Sequence, residues 1–90
     1  MLKGKTDTGF VFKIEDEALD DMEILESLTD MQNGQLGAIS HVLVALLGEE
    51  QKKKLYDHCR AKSGRVPVTA VTKELEDIFK KASENKDVKN

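Results

Sequence analysis

Phe10, Phe12 and Ile14 alternate with Val11 and Lys13, a period of two that predicts a strand with one face turned to a core. Thr6-Asp7-Thr8-Gly9 comes just before them, with turn-forming side chains and a glycine able to take positive φ. Together they predict a hairpin pairing residues 2–5 with 10–14. Two strands alone are marginal in water, so the Phe10/Phe12/Ile14 face must lie on helices.

The period then changes. Ala18, Leu19, Met22, Leu25 and Leu28 follow helical spacing and predict a first helix over 16–31, with acids in its first turn and Asn33-Gly34 ending it. A second helix, 36–47, carries Leu36, Ile39, Leu43, Leu46 and Leu47 on one side. Ala38, Val42 and Ala45 lie nearly opposite. Such a helix is either central, packed on two sides, or offers one side to another chain. Gly48 separates it from a third helix, 49–61, whose apolar content is thin: Leu55, Tyr56 and Cys59. The fourth is the clearest, with Val68, Val71, Leu75, Ile78, Phe79 and Ala82 on one stripe and Pro67 suited to its first position. Residues 83–90 are polar except Val88 and predict a disordered tail. The expected fold is mainly α, a small bundle of about four helices with a short N-terminal β-hairpin. Residues 1–82 form a single helical domain, hairpin included (1–14).

Ninety residues allow one domain. The longest apolar run, 42–47, falls far short of the roughly 20 residues that cross a bilayer, so no membrane partner is expected. Met1-Leu2-Lys3-Gly4 has no apolar stretch behind it, which predicts no secretory signal there. A single cysteine, Cys59, permits no internal disulfide and fits a reducing compartment.

Charge changes the picture more. The net value is -3, but it is laid out in blocks. Residues 15–30 hold eight acids and no base, while residues 51–65 hold six bases (Lys52, Lys53, Lys54, Arg60, Lys62, Arg65) against Asp57. The acidic block lacks the glycine-centred spacing of a calcium loop, leaving a solvated helix face or a dock for a basic partner. The basic block could contact phosphates, even as a recognition helix, yet the negative net charge and the absence of Trp argue against nucleic acid. His41, His58 and Cys59 offer no metal-ligand spacing, since adjacent His58 and Cys59 point about 100° apart on a helix. No glycine-rich phosphate loop is present. The expectation is therefore no cofactor, no metal and no enzyme. An acidic and a basic helix in one small domain can pair within the chain or head to tail between copies, where charge sets register and partner choice.

Three stretches taken in order resemble the small tail assembly chaperones of long-tailed (siphovirus-type) phages and prophages of Gram-positive bacteria. They are Gly9-Phe10-Val11-Phe12-Lys13-Ile14 with Ala18-Leu19-Asp20-Asp21-Met22-Glu23-Ile24-Leu25-Glu26, then Leu46-Leu47-Gly48-Glu49-Glu50-Gln51 with Leu55, then Gly64-Arg65-Val66-Pro67-Val68 running into Glu74-Leu75-Glu76-Asp77-Ile78-Phe79. Relatives often have Trp where this chain has Met22, a departure that packing can absorb. The resemblance implies a non-catalytic protein of the host cytoplasm, absent from the mature virion. It binds the tape measure protein, and in some cases the major tail protein, while the tail polymerises. It also implies that a longer, frameshifted form can exist. Self-association fits the same picture. The candidate partner-binding residues are the acidic face Asp20, Asp21, Glu23 and Glu26 and the small stripe Ala38, Val42 and Ala45. The alternatives are a small phage-type DNA-binding regulator using the basic third helix, and a structural tail or connector subunit.

Overall fold

The computed structural model describes residues 1–88, with side chains through residue 84. Strands β1 (Leu2–Lys5) and β2 (Val11–Ile14) form an antiparallel hairpin, pairing Leu2 with Ile14 and Gly4 with Phe12. The alternation holds as read: Phe10, Phe12 and Ile14 are buried, and Val11 and Lys13 face out. Gly4 is required by packing, because a Cβ there would lie 2.5 Å from Phe12 Cζ. The open edge of β2 is covered by a side chain. Lys13 N–H donates to Gln51 Oε1 at 2.8 Å, and Gln51 Nε2 donates to Lys13 O at 2.7 Å, so one amide imitates a neighbouring strand.

A 3₁₀ turn (Asp16–Asp20) leads to α1 (Met22–Gln32), α2 (Ala38–Cys59) and α3 (Val68–Val88). Among the described residues there are thus three α-helices, one fewer than the expected four. The second and third expected helices follow one another within α2, which kinks between them at Gly48, non-helical at φ 82 and ψ 166, where the sequence predicts a break. Backbone of that kind is essentially restricted to glycine.

The first helix also starts later than its apolar spacing suggests. Asp21 has extended backbone, and its Oδ1 accepts the N–H groups of Glu23 at 2.9 Å and Ile24 at 3.4 Å. This N-cap resets the helical phase. Ile24 and Ser27 are buried and Leu28 and Met31 half-buried, whereas Met22 and Leu25, read as core positions, are 65% and 54% exposed.

α2 is the central element and packs on α1, α3 and β2. Ile39, Val42, Leu43, Leu46, Leu47 and Leu55 are buried along it, so its main stripe and Val42 of the small stripe face the chain's own core, while Ala45 is exposed. In α3 the stripe Val71, Leu75, Ile78 and Ala82 is buried as spaced. Val68, at its start, is 54% exposed. The helix runs to Val88, past Ala82 where the sequence reading ends it, since no glycine or proline interrupts 68–88. Residues 89 and 90 of the expected tail lie outside the described residues.

Candidate functional site

Glu74 is a carboxylate on the buried side of α3, 6% exposed between Val71 and Ile78. The hairpin turn supplies its donors. Thr6 Oγ1 donates to Glu74 Oε1 at 2.8 Å and Thr8 Oγ1 donates to Oε2 at 2.8 Å. Each hydroxyl has a single proton, so the 3.3 Å approach of the two threonine oxygens is a contact rather than a third bond. By the same count, His58 Nε2, 2.9 Å from Thr8 Oγ1, must carry the hydrogen and donate it. Phe10 N–H donates to Thr6 Oγ1 at 3.1 Å, and the Phe10 and His58 rings stand 5.6 Å apart.

A second tie lies one turn further along α3. Asp7 N–H donates to Asp77 Oδ2 at 2.7 Å, and Lys81 Nζ reaches Asp7 Oδ1 at 2.9 Å and Asp77 Oδ1 at 3.4 Å. The hydrogen bond from Lys81, and then its charge, hold the Asp7 carboxyl below its ordinary range; the same bond raises Lys81.

These polar atoms satisfy one another, and the arrangement fastens the hairpin to α3. Cys59 stands near the cluster, its thiol pushed up by burial and then by the charge of Glu74. That disfavours the thiolate a nucleophile or metal ligand needs. Among the described residues no group of three or more His, Cys, Asp or Glu is placed to hold a metal ion. No described helix is long and apolar enough to cross a membrane.

An apolar surface groove lies elsewhere. The turn before α2 (Leu36, Gly37) and the first residues of that helix (Ile39, Ser40) line, together with Tyr56, Val66, Val68 and Val71, an apolar groove of about 260 Å³. A water occupies about 30 Å³, so the groove accommodates side chains. Leu36 at its edge is 57% exposed. Near it, Lys52 Nζ lies 5.5 Å from the centre of the Tyr56 ring and 3.9 Å from Glu49 Oε1, and exposed Arg65 precedes Val66 in the chain. Arg60 is committed to the fold, bridging Gly64 O at 2.8 Å and Asp57 Oδ1 at 3.1 Å.

The residues singled out from sequence are dispersed. Asp20, Asp21, Glu23 and Glu26 are all exposed, though Asp21 serves as the cap of α1. Ala38 is half-buried and Ala45 exposed, but Val42 between them has 0% exposure. The small stripe is therefore no continuous surface, because its central member belongs to the core. Sequence reading missed Glu74, whose spacing from Val71 and Ile78 already placed an acid on the buried face. It also missed the groove, whose Leu36, Ile39, Val68 and Val71 it assigned to apolar stripes. Compared with protein-family models, with curated proteins and with solved structures, the chain matches none of them.

Proposed function

We propose that this chain is a non-catalytic assembly chaperone that holds an amphipathic helix of a larger partner in the groove between Leu36, Tyr56 and Val68. The observation that carries the reading is the groove itself: an apolar channel with large hydrophobic side chains left in solvent at its edges and cations beside it. Helix-in-groove recognition uses such a channel, with apolar anchors at helical spacing in the guest. The cations favour a guest whose flanks are acidic. The sequence resemblance supplies the partner's class. It is the tape measure protein of a long-tailed phage or prophage, with the major tail protein as a second partner, bound in the bacterial host's cytoplasm and released before the mature particle.

Co-expression tests this. The wild-type chain is expected to keep a long helical tape measure protein soluble and to co-purify with it. Leu36→Glu with Val68→Glu, both at exposed positions, loses that recovery while circular dichroism stays unchanged. A partner that is insoluble with the wild-type chain, or recovered equally by the variant, overturns the proposal.

A further inference from the structure

The sheet has two strands, and the outer edge of β2 borders α2 rather than a third strand. Thr6 N–H donates to Phe10 O at 2.9 Å, which makes those two a hydrogen-bonded pair. Bonded and non-bonded pairs alternate along an antiparallel ladder. Val11 and Lys13 therefore turn their N–H and C=O groups away from β1, toward the open edge. Lys13 meets the Gln51 amide there, and Gln51 Nε2 also donates to Leu47 O at 2.8 Å. Val11, 63% exposed, lies further along the same edge. Beside both runs a cleft of about 750 Å³, walled on its far side by the part of α2 after Gly48. Glu50, Lys54 and His58 succeed one another along that wall, all exposed, at the four-residue spacing of one helix face. A strand edge with room beside it takes an extended peptide as an added strand, held by main-chain bonds and selected by alternate side chains. Charge sets the selection. The outward side chains of the hairpin are Lys3, Lys5, Val11 and Lys13, and neither strand contains an acid. Opposite charges on directly facing residues of neighbouring strands attract.

We infer that β2 accepts an extended acidic segment of a partner protein as a third strand, and that Gln51 is the latch this segment displaces. The guest's N–H and C=O groups replace the Gln51 amide at Lys13 and carry the ladder on to Val11. Its carboxylates lie on the lysine face of the hairpin, and its alternate side chains enter the cleft. This edge is separate from the apolar groove and does not depend on it.

A synthetic peptide tests this. It has about seven residues, enough for a strand, alternates valine with glutamate and is blocked at both ends. In an NMR titration of the full chain it should shift the Val11 and Lys13 amides and slow hydrogen exchange at Val11 about tenfold or more. The same peptide N-methylated at alternate residues keeps its side chains but loses the donors that face β2, and its affinity should fall about tenfold or more. Lys13→Glu should weaken binding of the glutamate peptide and favour one with lysine in place of glutamate. Gln51→Ala, folded by circular dichroism, should bind about threefold or more tightly, because no amide competes for the edge. The groove variant, Leu36→Glu with Val68→Glu, should bind the peptide as wild type does. A peptide that binds neither wild type nor Gln51→Ala at millimolar concentration overturns the inference. So does N-methylation without effect, binding that a folded Gln51→Ala protein leaves unchanged or weakens, or loss of the peptide by the groove variant. If Gln51→Ala does not fold, the N-methylated peptide and Val11 exchange in the wild-type chain decide.

Discussion

Thr6 and Glu74 stand 68 residues apart in the chain and 2.8 Å apart in space, hydroxyl donating to a buried carboxylate. The bond joins the first turn of the protein to its last helix, and it makes Glu74 tolerable inside the core. A buried carboxylate needs donors on its oxygens, and here Thr6 and Thr8 provide one for each.

Removing one side of that pair is therefore worse than removing both. Thr6→Val keeps the shape but deprives Oε1 of its donor, and should cost about 1–3 kcal/mol. Glu74→Leu leaves the Thr6 hydroxyl buried without its acceptor, with a cost in the same range. The double variant should recover part of the loss. Urea unfolding of all four proteins gives the coupling energy, and strictly additive losses would mean the two groups do not depend on each other.

At Gly48 the sign of the effect is the test. An ordinary glycine inside a helix is improved by alanine by roughly 1 kcal/mol. Gly48 has φ 82, and nothing lies within 4 Å of where a Cβ would go. Only the backbone conformation opposes a side chain there, and Gly48→Ala should destabilise by about 1–3 kcal/mol. A stabilised variant would mean that α2 runs straight in solution.

The Asp7–Lys81 pair gives a pH dependence at both ends of the scale. Asp7 is lowered from 3.8 by the hydrogen bond and charge of Lys81, so its contribution is complete above 3.8 and is lost as pH falls through the lower folded value. Lys81 is raised from 10.5, so its contribution is complete below 10.5 and is lost as pH rises through the higher folded value. The stability difference between wild type and Asp7→Asn should be constant between those limits and shrink outside them. Denaturant midpoints measured across pH check this, and a difference that does not change at either extreme would remove the ion pair from the account.

What the sequence made legible follows from which forces are local. The hairpin and the buried stripe of α3 could be read because strand and helix periods repeat over whole elements. The face of α1 was misplaced because the stripe through Ala18, Met22 and Leu25 assumes one helix from residue 16. The Asp21 cap stops the 3₁₀ turn and restarts the phase at Met22, which carries Ile24 inward and Leu25 outward. The groove was invisible for a different reason. Leu36 and Val68 have the right spacing for their stripes, but Leu36 lies in the turn before α2, which starts at Ala38 and not at 36, and Val68 lies at the start of α3, and both are left exposed. Periodicity reports which side of a helix is apolar and not how far the cover extends.

Val42 and Ala45 of the small stripe separate core from surface. Val42 has 0% exposure in the centre of α2, so Val42→Asp buries an unpaired charge and should cost about 4 kcal/mol or more, enough to unfold a small domain. Ala45, one turn along, is exposed, and Ala45→Asp should change stability by no more than about 0.5 kcal/mol. If the groove is the binding surface, Ala45→Asp recovers client as wild type does, and Val42→Asp loses client only together with its circular dichroism signal. A folded Ala45→Asp protein that no longer recovers client would move the binding surface from the groove to the outer side of α2.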